Sequence, residues 1–237
     1  MRIFIALPLP DGFTSALAGA AASLVRAAPD PAGPRQAGAA RRPPRLRPVR
    51  PDGMHLTLAF LGELDGAGLA DAERAACEAV SAALAAGAAP GPLRGPVRRP
   101  FRLSAAGVLT FPPRGRASVV AAAIGDGATE ASALAAAVED ALERVGRETG
   151  QPFRPRERRP FAPHVTLARA DRPGVVLSAS ERAALSASIA NAGAACVVDR
   201  VVVCRSGLGR DGARYEALAE FVLARPNSPD YSTGTIS

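Results

Sequence analysis

The chain of 237 residues has only two histidines, and each opens a near-copy of one hexapeptide: HLTLAF at residues 55–60 and HVTLAR at 164–169. An imidazole titrates near neutrality, with a free pKa of about 6.5, so of two that share a site one can act as base while the other, protonated, acts as acid. A hydroxyl two residues after each histidine adds a hydrogen-bond donor for oxygens on which charge builds. Two acid–base groups and two hydroxyls suit an in-line displacement at phosphorus. One histidine takes a proton from the attacking water, and the other gives a proton to the departing oxygen.

A lone histidine in a strand is more often structural than catalytic, but this pattern is doubled. Threonine fills only eight positions of the chain, so chance is a poor account of one standing two residues after both histidines. On a strand, successive side chains alternate. His55 and Thr57 therefore share one face while Leu56 and Leu58 anchor the other, and His164 and Thr166 stand likewise against Val165 and Leu167. Phe60 and Arg169 each follow their histidine by five, and in an unbulged strand this odd spacing turns both away from the histidine face, with Phe60 in the core. By chemistry, Arg169 suits a phosphate and Phe60 suits stacking on a base.

A metal centre is the rival reading, and two histidines would need a carboxylate beside them. Glu63 has the right parity but lies roughly 26 Å from His55 along an extended strand, and Asp52 has the wrong one. The residues predict no metal and no cofactor.

These strands need elements to position them. Arg2–Leu7 reads as a buried strand, and 11–26 as a helix capped by Asp11. Residues 29–53 are dense in Pro, Gly and Arg, which denies them helix or central strand and predicts an irregular basic loop. Met54–Gly62 reads as a strand and Ala67–Ala86 as an Ala-rich helix. Strands follow at 93–103, 106–111 and 117–124, then a helix over 129–147 with Leu134, Val138, Leu142 and Val145 on one stripe. Beyond it come a strand at 163–168, a Ser-capped helix at 180–190, and strands at 195–205 and 214–223. Each half runs helix, histidine strand, helix. The pattern predicts an α+β, bilobal architecture: two pseudo-symmetric lobes, each a mainly antiparallel sheet backed by helices, around a central cleft. Residues 1–226 are expected to form one such domain, with 227–237 a disordered tail.

Composition narrows the class further. The 48% apolar content supports a core, and the net charge of +7 is carried by 29 arginines and no lysine. Arg41, Arg42, Arg45, Arg47 and Arg50 precede the first motif, and Arg154, Arg156, Arg158 and Arg159 precede the second, as a basic rim around the cleft that would attract phosphate. Cys77, Cys196 and Cys204 have no metal-binding or disulfide spacing, which points to reduced thiols and a cytoplasmic location. The opening MRIFIALPLP is broken by Pro8 and Pro10 and reads as a strand, not a signal peptide. No apolar run reaches the length of a membrane span.

Four segments in order give the chain a family likeness: MRIFIALPLP, HLTLAFLGE, RPFAPHVTLAR and SGLGRDGARYEAL. Together they resemble the two-histidine phosphoesterase superfamily, and within it the RNA 2′,3′-cyclic phosphodiesterases, the LigT-like or "2′-5′ RNA ligase" family. The resemblance implies metal-independent hydrolysis of a 2′,3′-cyclic phosphate at an RNA end to a 2′-phosphate. It implies His55 as proton donor to the 3′ oxygen, His164 as proton acceptor from water, and Thr57 and Thr166 on the phosphate. The implied partner is RNA with a cyclic phosphate end, with no membrane and no obligate protein partner, so a monomer. The chain departs from the family in lacking an aromatic before the first motif and another within residues 117–125. The alternatives are an enzyme for a small cyclic nucleotide of the ADP-ribose cyclic phosphate type, with 2′-5′ ligation as a minor reverse activity, and a module that binds nucleotide or RNA without cleaving it.

Overall fold

A computed structural model of the chain describes residues 2–26, 44–63, 66–85, 99–150, 159–172, 174–209 and 212–223. Arg41, Arg42, Arg154, Arg156, Arg158, the start of the strand expected from residue 93, and the tail at 227–237 lie outside the described residues.

Two antiparallel sheets carry the fold. The first has the order β3-β1-β8-β9 and the second β2-β6-β5-β4-β7. In chain order the strands are β1 (Arg2–Pro8), β2 (Leu46–Pro48), β3 (His55–Glu63), β4 (Phe101–Phe111), β5 (Val119–Ile124), β6 (His164–Ala170), β7 (Ala195–Val198), β8 (Arg200–Gly209) and β9 (Gly212–Val222). The helices are α1 (Asp11–Arg26), α2 (Gly66–Ala85), α3 (Ala128–Thr149) and α4 (Ala179–Ala192). The repeat is visible as strand, helix, histidine strand, helix: β1-α1-β3-α2 and β5-α3-β6-α4. In each half the histidine strand pairs antiparallel with the strand that opens the repeat.

The two lobes interlock. Helix α1 follows β1 of the first sheet yet packs on α4, β2 and β6, while α3, between two strands of the second sheet, packs on α2 and β3. One apolar core therefore runs through both lobes, from Ile3, Leu56 and Val203 of the first sheet through Leu134 and Val138 to Val120, Val165 and Leu167 of the second. The predicted α3 stripe is buried at all four positions, Leu134, Val138, Leu142 and Val145.

Four expectations need correction. Residues 195–205, one apolar run by sequence, are two strands in different sheets: β7 pairs with β4, and β8 with β1 and β9. The chain crosses at Asp199, whose carbonyl accepts the Leu223 amide at 2.7 Å, and hydropathy cannot register a change of partner. Residues 101–111 form one strand, because a register shift between Ala105 and Val108, with Gly107 at φ 71°, absorbs the expected break. The basic loop contains a short strand, β2, and a 3-10 turn at Pro51–Gly53; Pro48 is tolerated because β2 is an edge strand. The caps also shift. Asp11 is the first helical residue of α1, not its cap. Ser178, not Ser180, caps α4 through a capping box with Glu181.

Leu56 and Leu167 sit at matching places in the two histidine strands, both fully buried. Leu56→Ala and Leu167→Ala are each expected to cost about 2–5 kcal/mol in urea denaturation. A cost below about 1 kcal/mol at either site would contradict a shared core.

Candidate active site

Register relative to neighbouring strands settles which side chains share a face. In the first sheet Ala6 stands opposite Thr57, but the next residue back, Ile5, stands opposite Ala59, so Leu58 is passed over. In the second sheet Ala121 stands opposite Thr166 and Val120 opposite Ala168, so Leu167 is passed over. Each is a β-bulge, one extra residue that resets the alternation beyond it. Both residues at each bulge, Leu58 with Ala59 and Leu167 with Ala168, are buried. Over their first six positions the two strands have the same burial pattern.

The bulges overturn the expectation for the fifth residue. Phe60 is not core: it stands opposite Phe4, as Thr57 stands opposite Ala6, and so shares the histidine face. It is 42% exposed, with its ring centroid 5.7 Å from that of Phe4. Arg169 stands opposite Val119, with Thr166 opposite Ala121 and His164 opposite Ala123, three residues on one face of β5. His164, Thr166 and Arg169 therefore project together.

Each imidazole is tied to its own strand entry. His55 Nδ1 lies 3.1 Å from the carbonyl of Gly53, and His164 Nδ1 lies 2.7 Å from the carbonyl of Ala162. A carbonyl only accepts, so Nδ1 carries the proton in both rings, and Nε2 is the nitrogen free to exchange one. The surroundings differ. His55 stacks on Phe4 at 4.8 Å and 29°, with Tyr215 edge-on at 4.8 Å and 74°. His164 meets Phe111 at 4.5 Å and 43°. Beneath the first histidine, Phe4 and Ala6 join Val202 and Cys204 in a small apolar cluster separate from the main core.

Electrostatics ties these groups into one site. Burial lowers His55 to about 4, against a Gly53 hydrogen bond that raises it, and the charges of Arg169 and His164 lower it further. His164 is lowered by burial, opposed by the Ala162 hydrogen bond and reinforced by Arg169. Burial raises Tyr215, and the charge of Arg169 opposes that. Arg169 thus acts on both histidines and on the tyrosine at once, across the seam where β3 and β6 pack together.

Of the residues singled out by sequence, His55, Thr57, Phe60, His164, Thr166 and Arg169 all reach the same face of their sheets. Arg45, Arg47, Arg50 and Arg159 are exposed. Phe4, Phe111 and Tyr215 were not anticipated. Tyr215 lies in the closing segment that contributed to the family likeness, but its contact with His55 depends on the order β3-β1-β8-β9, which no local pattern reveals. Among the described residues no three His, Cys, Asp or Glu side chains converge as metal ligands. Glu63 pairs with Arg2, and Asp52 with Arg50. No described helix is long and apolar enough to cross a membrane.

Two interlocked antiparallel sheets, each presenting a histidine and a threonine from a bulged strand, are the architecture of a two-histidine phosphoesterase. Residues 28–210 match the family model of the 2′-5′ RNA ligase superfamily, and the chain belongs to that superfamily. Among solved structures it is similar to TT0787 of Thermus thermophilus, with 26% identity, a TM-score of 0.61, and 94% of this chain and 98% of that one covered. It has the fold of E. coli LigT complexed with 3′-AMP, at 22% identity and a TM-score of 0.58, and of LigT complexed with phosphate, at 20% and 0.52; each covers 94% of this chain and 98% of that one. No curated protein matches the sequence significantly.

With only two histidines, an NMR titration reads each directly. In the ligand-free protein both imidazoles are expected to titrate below 6.5, His55 near 4, and Arg169→Gln to move both upward by removing a cation that disfavours each imidazolium. Midpoints at or above 6.5 in the wild type would contradict the burial argument. Between about 4 and 6.5 the unfolded chain binds the proton that folded His55 refuses, so stability is present above 6.5 and is lost as pH falls towards 4. His55→Gln is expected to flatten that part of the stability profile, measured by urea denaturation.

Proposed function

We propose that the protein hydrolyses 2′,3′-cyclic phosphate ends of RNA to 2′-phosphomonoesters by paired-histidine acid–base catalysis that needs no metal or cofactor. One observation carries this reading: the two histidines are held alike, Nδ1 on a backbone carbonyl and Nε2 free, with the charge of Arg169 acting on both.

In the step this arrangement supports, His164 Nε2 accepts a proton from water as the water oxygen bonds to phosphorus. The bond from phosphorus to the 3′ oxygen breaks, and His55 Nε2 donates its proton to that oxygen. The products are a 2′-phosphate and a 3′-hydroxyl, and the proton gained by His164 balances the one lost by His55. Thr57 and Thr166 donate hydrogen bonds to the non-bridging oxygens, and Arg169 offsets their charge. The assignment of His55 as donor follows the family likeness.

The lowered histidines suggest when the acid is charged. Free of ligand, both are neutral at pH 7. A bound phosphate anion counters the field of Arg169 and favours an imidazolium, so the substrate completes the acid.

The test is turnover of a short RNA ending in a 2′,3′-cyclic phosphate, with chelator present, from pH 4 to 9. A 2′-phosphate product is expected, with kcat/KM bell-shaped and maximal below 6.5, because that parameter reports the free enzyme, and kcat peaking at higher pH. His55→Ala and His164→Ala should each lose about 10²–10⁴-fold in kcat. Wild-type activity indifferent to both substitutions, or dependent on added metal, would sink the proposal.

A further inference from the structure

Strand β2 brings a second arginine to Arg169. Their strands pair antiparallel with Arg47 directly opposite Arg169, Leu46 opposite Ala170 and Pro48 opposite Ala168. Directly opposed residues project from the same face with their Cα atoms about 4.5–5.5 Å apart. Since Ala168 is buried and Arg169 lies on the histidine face, Arg47 lies on the histidine face too. Arg45, two residues earlier, continues the line.

Like charges directly opposite one another in a sheet destabilise it. Neither Arg47 nor Arg169 has a carboxylate partner among the described residues. The acids nearest in sequence are engaged: Asp171 accepts the Arg45 amide at 2.9 Å, and Asp52 pairs with Arg50 at 3.2 Å. A pair of exposed guanidinium groups with no ion pair among the described residues, beside a phosphate-handling histidine, fits a ligand with more negative charge than one cyclic phosphate carries.

We propose that Arg47 binds the internucleotide phosphate immediately 5′ to the cyclic end of an RNA chain, with Arg169 standing between it and the scissile phosphate. A polynucleotide repeats its charge at every residue, and the line Arg169, Arg47, Arg45 steps a cation from β6 across to the edge strand β2 and back to the residue that precedes it. The site would therefore distinguish an RNA end from a free nucleotide by its second phosphate. This inference rests on the reading of the histidine site given above.

The test has two arms. In the first, kcat/KM is compared on a trinucleotide and a mononucleoside, each with a 2′,3′-cyclic phosphate. Arg47→Ala is expected to lower the ratio of the two by about tenfold, the scale of one charged hydrogen bond. An unaltered ratio overturns the proposal. A nucleotide diphosphate also presents a second phosphate, so an Arg47→Ala effect on ADP-ribose cyclic phosphate without one on RNA overturns the RNA assignment.

The second arm needs no turnover. A labelled trinucleotide ending in a 2′-phosphate is compared, by fluorescence anisotropy, with the same molecule bearing an uncharged methylphosphonate at its last linkage. Wild type should bind the charged form about tenfold more tightly, and Arg47→Ala should bind the two alike. A wild type indifferent to the methylphosphonate, or a variant that discriminates as well as wild type, overturns the subsite. Discrimination by a wild type that shows no turnover would instead overturn the hydrolysis reading and leave the subsite standing.

Discussion

The histidine face depends on one extra residue in each of two strands. A strand alternates its side chains, so a histidine, a threonine two residues on and the residue five on cannot all project together from a regular strand. The bulges at Leu58/Ala59 and Leu167/Ala168 remove that conflict. They cost a ladder position, and the burial of both side chains at each bulge offsets the loss. The result is three successive positions, histidine, threonine and the fifth residue on, on one face of each strand, anchored by a continuous apolar set on the other.

The duplicated motif then diverges around a common frame. Both imidazoles are oriented in the same way, by the carbonyl two residues before. The difference lies in what surrounds them: Phe4, Phe60 and Tyr215 on the His55 side, and Phe111, Arg169 and its cross-strand neighbour Arg47 on the His164 side. The His55 half of the site is aromatic throughout, and the His164 half adds the cations to a single ring. An apolar half suits a flat base or the face of an imidazolium, and a cationic half suits phosphate.

Interlocking explains how the two halves keep their geometry. Because α1 packs against the second sheet and α3 against the first, and because β8 and β9 return from the second half of the chain to complete the first sheet, neither lobe closes its core alone. The relative placement of His55 and His164 is thus set by the same apolar contacts that hold the fold together, and not by a flexible linker between domains.

Much was legible in the sequence because it is local. Hydrophobic period marked β1, α1, β3, α2, α3, β6 and β9 to within a few residues, the repeated H-x-T pattern marked both histidines and both threonines, and the order of elements indicated two similar lobes. What was not legible depends on pairing. Whether residues 195–205 are one strand or two, whether Phe60 faces core or cleft, that Tyr215 and Phe4 enclose His55, and that Arg47 faces Arg169 are all consequences of register and strand order. Local periodicity reports whether a residue alternates with its neighbours along the chain. It carries no information about which strand lies alongside, or where that strand passes over a residue, and those two facts are settled only when the apolar faces of both sheets are buried against each other.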